Sequence, residues 1–322
     1  MKRSIILLTF IISISTLYAQ MHLEIKNPPT DATLFHEGFI STPINERDFA
    51  LSPDGSEIYY TISTPQSSFQ TIVFSRKDKN GKWSRPEVVP FAGTFSDLEP
   101  AFSADGKKLY FASNRPLQGN QPKDFDLWVV DRIGNTWNEP KNLGTSVNTD
   151  SDEFYPSIAK SGNLYFTAQY KDGVGREDIF FAAWKNGQFE KPTALDTAIN
   201  SKGYEFNAFV DSDEQFIIFT GYGRKDDTGR GDLYMSVKDA HGKWQPAKNL
   251  KALNSSRLDY CPYVSPDKTI LFFTSERAAL PVSFDTKASY EQIQKINQQT
   301  LNGTGNIYWV SFEKVMESLR QF

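Results

Sequence analysis

Apolar and polar positions along this chain recur at two periods. The short one is clearest in Leu98 to Ser113 (LEPAFSADGKKLYFAS) and Arg47 to Ser63 (RDFALSPDGSEIYYTIS). In each, an apolar run breaks at a polar turn, Ser103-Ala104-Asp105-Gly106 or Ser52-Pro53-Asp54-Gly55, and resumes with alternating aromatics, which predicts two antiparallel strands. The long period is the repetition of that unit. Weaker copies run from Phe154 to Ala168, Phe206 to Gly221 and Tyr260 to Ser275. A third strand follows in each copy, opened by a small polar residue, as in Asp126-Leu127-Trp128-Val129 and Asn306-Ile307-Tyr308-Trp309. In four copies a turn with Gly before an aromatic residue, such as Gly81-Lys82-Trp83 or Gly242-Lys243-Trp244, then leads to a short fourth strand.

Four short antiparallel strands repeated at about 50 residues predict a β-propeller rather than a solenoid or sandwich. The fold class is all-β, with five four-stranded blades and a six-bladed ring as the alternative. The fifth copy stops after its third strand and gives way to a short C-terminal helix over 312–319. Thr33-Leu34-Phe35 has the position of a fourth strand, so it is expected to join the last blade, close the ring and protect the sheet edges. An insertion near 278–303 holds a second helix, predicted over 290–301 with Ser289 as N-cap, Gln292 completing a capping box and Gly303 beyond its end. Its apolar residues Tyr290, Ile293 and Ile296 are expected either to pack against the blade rim or to lie over the channel as a partial lid.

The repeated Ser-x-Asp-Gly turn before Leu-Tyr-Phe, and the Glu99-Pro100 lead-in, resemble the WD-repeat-like propeller repeats of the periplasmic protein TolB and its secreted bacterial relatives. The resemblance covers nearly all of residues 33 to 311 and is strongest at 51–60 and 99–113. Such propellers usually have six blades and serve in protein contacts, so the resemblance implies a binding scaffold and leaves the ligand open.

Composition narrows the partners. Of 322 residues 35 are Lys or Arg and 39 Asp or Glu, a net charge of −4, which carries no electrostatic footprint for nucleic acid or an anionic membrane. A single Cys and three His exclude a disulfide framework and a thiolate or histidine metal cage, while oxygen-ligated Ca²⁺ stays open. Lys2 and Arg3 before the uncharged run from Ser4 to Leu17 read as a signal peptide over residues 1–19. The remainder, 20–322, is then one propeller domain, expected to be a secreted or periplasmic monomer with no membrane span.

In a propeller the turns between strands one and two share a face with those between strands three and four. The regular Ser-x-Asp-Gly and Gly-x-aromatic turns therefore lie together, with turn chemistry explaining them, and the irregular loops lie opposite. Binding is expected on the loop face, where Arg115, Arg176, Tyr222, Arg224 and Arg277 are candidates for gripping a carboxylate or an acidic partner surface. Gly173-Val174-Gly175 and Gly229-Arg230-Gly231 read as hairpin turns, since neither follows a strand and opens a helix.

One column is acidic in every copy: Glu46, Asp97, Glu153, Glu205 and Asp259, each opening an innermost strand beside the channel. Such a ring is either a latch paired with an Arg or a backbone N–H of an adjoining blade, or the floor of a cation or ligand site. Two functions compete on these features. One is a binding propeller taking a protein or carbohydrate. The other is a carbohydrate-active hydrolase using channel carboxylates, favoured by Asp48 and Glu99, which break the symmetry, and disfavoured by five near-equivalent acids.

Overall fold

The computed structural model describes residues 23 to 320; the signal-peptide reading of 1–19 lies outside the described residues, as does His22. Five antiparallel sheets, each built on four strands, form a five-bladed propeller, and the six-bladed alternative falls. The innermost strands are Asn45–Leu51, Asp97–Phe102, Glu153–Ile158, Tyr204–Val210 and Asp259–Val264 for blades 1 to 5.

The strand-one to strand-two turn shows why the repeat is spelled as it is. Ser52 donates its hydroxyl to Asp54 (2.6 Å) and accepts the backbone N–H of Ser56 and Glu57, while Gly55 sits at φ +69°. Ser103 and Asp105 repeat the device at 2.7 Å, and Ser265 and Asp267 at 2.6 Å. A glycine takes the left-handed position cheaply; Glu214 and Lys268 occupy it in blades 4 and 5, where the written motif is degraded. At the blade's outer margin, Asn148, Asn200 and Asn254 each accept an N–H from, and donate to the C=O of, the second residue of the third strand, so a side-chain amide completes the sheet edge.

Closure is as expected. Thr33 pairs with Trp309 and Leu34 with Tyr308, and the N–H of Phe35 donates to Ile307 at 2.8 Å. Phe35 is fully buried, with ring centroids 5.4 Å from Phe49 of blade 1 and 5.0 Å from Phe272 of blade 5, so the closing strand welds the first blade to the last. Helix α1 (Tyr290–Asn297) has the capping box at Ser289 and Gln292 but ends four residues before the predicted 301. Tyr290 and Ile293 are exposed and no residue of α1 is buried, which contradicts both the lid and the rim-packing expectation for them; only Ile296 is half-buried. Helix α2 (Phe312–Arg320) buries Phe312 and Val315 against the last blades. Among the described residues no helix is long and apolar enough to cross a membrane.

Candidate functional site

The acidic column forms a set of clamps. All five carboxylates are buried, and four turn back on the link that precedes their strand. Glu46, Glu153, Glu205 and Asp259 accept the backbone N–H of the residue four earlier, Thr42 (3.1 Å), Thr149 (3.1 Å), Ser201 (2.6 Å) and Ser255 (2.5 Å). The same four hydroxyls donate to them as well. Further donors come from the end of the second strand: Arg115 to Asp97 at 2.5 Å, Tyr170 to Glu153 at 2.7 Å, Arg224 to Glu205 at 2.9 Å and Arg277 to Asp259 at 3.4 Å. Glu46 draws instead on Asn306 of blade 5, at 3.0 Å. Gly93 stands where the others have a hydroxyl, and one Asp97 oxygen is left without a partner. Most donors thus come from the acid's own blade and its entry link rather than from an adjoining blade.

This geometry reassigns three loop-face candidates. Arg115, Arg224 and Arg277 each fork between an acid of the ring and a backbone carbonyl, of Phe91, Ile199 and Leu253. They also lie over the rings of Phe111 and Trp128, Phe219 and Tyr234, and Phe273 and Tyr308. Their charges are spent inside the fold. Burial pushes Glu46 up to about 8 and Glu153 up to about 7, against the hydrogen bonds of Thr42 and Tyr170. Asp97 and Asp259 are also raised by burial, opposed by Arg115 and Arg277.

Two residues further along each inner strand lies a second ring. Asp48, Glu99, Tyr155, Asn207 and Cys261 all adopt left-handed backbone, φ between 50° and 62°, at a bulge where strand pairing slips. A non-glycine residue there costs roughly 1–2 kcal/mol. The bulge swings these groups to the axis, where all five blades meet. Arg47 bridges Asp48 (2.8 Å) and Glu99 (2.9 Å) and reaches the Cys261 sulfur at 3.6 Å. Glu99 also accepts the Tyr155 N–H (2.6 Å) and the Asn207 amide (3.3 Å), and the Cys261 thiol faces Asn207 Oδ1 at 3.5 Å. Burial and the neighbouring Asp48 push Glu99 up to about 8, and the same two causes raise the Cys261 thiol. Arg47 keeps its charge against burial because Asp48, Cys261 and Glu99 surround it. One buried Asp48 oxygen has no hydrogen-bond partner.

Two concave spaces flank this axis. A cavity of about 390 Å³ has Glu99 and Tyr155 deep in it, aromatic walls from several blades, and a rim of Pro53, Ala104, Lys160, Ser212 and Pro266. That rim is the set of strand-one to strand-two turns, so the regular face, expected to be only structural, carries the mouth of an axial cavity. On the loop face an open groove of about 780 Å³ runs across blades 3 and 4 and holds Arg176, Tyr222 and Arg224 together with Lys202, Tyr204 and Lys225. The rings of Tyr204 and Tyr222 lie 5.9 Å apart, and Arg176 donates to the Tyr204 hydroxyl at 3.0 Å. Tyr222 is 45% exposed, so its ring is open to a ligand. Asp226 and Asp227 turn to the Tyr234 hydroxyl, leaving Lys225 with no partner among the described residues. The Gly173-Val174-Gly175 turn holds Asp178, whose carboxylate accepts the N–H of Val174 (2.6 Å) and Gly175 (3.0 Å); a Cβ on Gly173 would come within 2.3 Å of it. The chain's own acid fills that cradle.

Sequence reasoning reached Asp48 and Glu99 but missed Arg47, Tyr155, Asn207 and Cys261. For the last three the signal is a column two residues after the acids in which every copy differs; Arg47 stands one residue after its acid, where the other copies have Leu98, Phe154, Phe206 and Tyr260. Lys160 and the axial cavity were hidden because the blade-3 turn reads as a degraded copy of a structural motif.

No family model matches the chain, and no curated protein matches it. Among solved structures, the fold is similar to a β-fructofuranosidase of Bombyx mori (TM-score 0.51, 10% identity, covering 84% of this chain and 60% of that one). It is similar also to a glycoside hydrolase (TM-score 0.50, 8% identity, covering 85% and 92%). A third similar structure, described as TolB from Agrobacterium tumefaciens, has TM-score 0.48 and 16% identity over 84% of this chain and 91% of that one. At these identities the similarity is one of propeller fold.

Proposed function

We propose that this chain is a secreted or periplasmic binding propeller that grips a carboxylate-bearing partner, protein or saccharide, in the loop-face groove across blades 3 and 4. One observation carries the reading: each acid of the two axial rings has at least one hydrogen bond inside the protein, while the groove keeps open an exposed tyrosine and a lysine with no partner among the described residues. Arg176 and Lys202 add positive charge there, Lys202 donating to the Val174 carbonyl at 3.1 Å. The resemblance to TolB repeats points the same way.

The hydrolase reading keeps one specific support. Asp48 and Glu99 are adjacent through Arg47, and burial together with the neighbouring Asp48 raises Glu99, the direction a general acid needs. Against it, only Glu99 of the two lines the axial cavity, so a glycosidic bond there meets an acid without its partner. The test is retention on immobilised polyglutamate and polygalacturonate, with reducing-end release followed in parallel. The Arg176→Ala, Lys225→Ala double variant should lose retention at least tenfold, and no release should occur. Release that disappears in Glu99→Gln would establish the hydrolase instead.

A further inference from the structure

The axial cavity behind the regular turns is a second site, separate in place and chemistry from the loop-face groove. We infer that it takes a compact apolar or aromatic ligand bearing one anionic group, with the ring system inside and the charge at the mouth.

Its volume of about 390 Å³ is that of a small-ligand pocket. Phe49, Phe102, Ile158, Phe209 and Tyr263 form the walls, and the polar groups among them are already used. The Tyr263 hydroxyl donates to the Leu51 carbonyl at 2.8 Å and that of Tyr155 to the Pro262 carbonyl at 3.0 Å, while Ser157 accepts the Val210 N–H at 2.9 Å. A hydroxyl-rich ligand would lose its water and find few replacement partners, the Ser157 hydroxyl proton among them, whereas an apolar body loses nothing and gains burial. Sugars are therefore disfavoured in this cavity by the same chemistry that admits aromatic rings.

Charge fixes the orientation. At the depth of the cavity Glu99 is the lining acid, and the neighbouring cation, Arg47, is already engaged by Asp48 and Glu99, so no free positive charge there receives an anion. At the rim Lys268 is paired with Asp211 (2.8 Å) and Asp213 (3.5 Å), but the Lys160 ammonium has no partner among the described residues and stands exposed on the blade-3 turn. Among the described residues it is the rim cation without an acid beside it.

Two dyes that differ by this charge make the test: 1-anilinonaphthalene-8-sulfonate and its uncharged parent, N-phenyl-1-naphthylamine. Both should brighten on the folded protein, the sulfonate binding roughly fivefold tighter, as expected for one partly exposed charge pair. Lys160→Gln should erase that difference and leave the neutral dye unchanged. Ala101→Phe, which fills the cavity, should abolish both signals, and Arg176→Ala in the loop-face groove should alter neither. Lys160 lies on an exposed turn, so its variant folds even if Ala101→Phe does not. No brightening in the wild type, or a sulfonate preference that survives Lys160→Gln, would overturn the inference; loss of both signals in Arg176→Ala would move the dye site to the other face.

Discussion

The two axial rings are built from the same strands two residues apart, and they have opposite characters. The outer ring, Glu46, Asp97, Glu153, Glu205 and Asp259, is acidic in every blade, and four of its members make the same bond to a hydroxyl residue four positions earlier. The inner ring has one backbone conformation and five different side chains, which, Asp48 on its neighbour Arg47 apart, bond across blades. Repetition of the side chain marks what each blade needs to fold. Variation on a repeated backbone marks the place where the blades stop being equivalent, which is where a specific chemistry has room to sit.

Opening the ring should have the largest effect, because it removes the support of both. Deleting residues 20–36 strips out Leu23 and Phe35, both buried, and exposes the edge of Asn306–Ser311. At about 1.5–3 kcal/mol per buried side chain plus the lost pairing, the cost is a large share of a domain's stability. Insoluble protein, or a melting temperature lower by roughly 10 °C, is expected; an unchanged melt would refute closure by this strand. Next come single substitutions that set one ring against the other. Arg47→Met leaves Asp48 and Glu99 facing each other unpaired and should cost about 3 kcal/mol or more in chemical denaturation. Glu153→Ala, Glu205→Ala and Asp259→Ala should each cost about 1–3 kcal/mol, because each frees a buried donor. Similar costs across the acidic ring and dissimilar ones across the bulge ring uphold the contrast. A scattered acidic series would break it.

The fold was legible because the propeller writes its turns in side chains. Ser, Asp and Gly at fixed spacing are a hydrogen-bonding device, and the apolar alternation around them is the strand pairing itself. The acidic column was legible for the same reason, since it repeats. Its partners were not, because Arg115, Arg224 and Arg277 are recognisable as clamps only once the second strand returns beside the first. Asn207 and Cys261 were marked only by standing in a column where every copy differs, since a left-handed bulge at a polar or sulfur side chain has no spelling of its own in a single sequence. Helix α1 shows the converse: its capping box fixed where it starts, while nothing in its apolar pattern obliged it to pack.

Titration perturbs both rings, and more gently. Glu46 and Glu99 are raised to about 8 and Glu153 to about 7, from ordinary values near 4.5, with burial the first cause in each. A carboxyl raised on folding holds its proton more tightly in the native state, so its contribution is full below about 4.5 and is lost as pH rises through about 8. Asp131 behaves oppositely: hydrogen bonds from Lys108 and Lys141 lower it to about 2, and its contribution is lost only as pH falls through that value. The melting temperature should therefore peak near pH 5 and decline towards pH 8.5. Glu46→Gln should flatten part of that decline, and a melting temperature that climbs between pH 5 and 8 would contradict the buried-acid assignment.

Calcium should produce the smallest effect, and it decides what the acidic ring is. A Ca²⁺ site needs carboxylate oxygens converging on one point at about 2.3–2.6 Å from the ion, with few competing donors. Here Glu46, Glu153, Glu205 and Asp259 each take a backbone N–H and a hydroxyl from their own entry link, and Arg224 and Arg277 bring positive charge to two of them. A cation entering the ring would have to break these bonds and meet three guanidinium groups, Arg115 beside Asp97 being the third. Melts in chelator and in millimolar Ca²⁺ should coincide for the wild type and for Glu153→Ala, with the variant lower in both. A calcium-dependent rise in the wild type that vanishes in Glu153→Ala would convert the latch into a cation site.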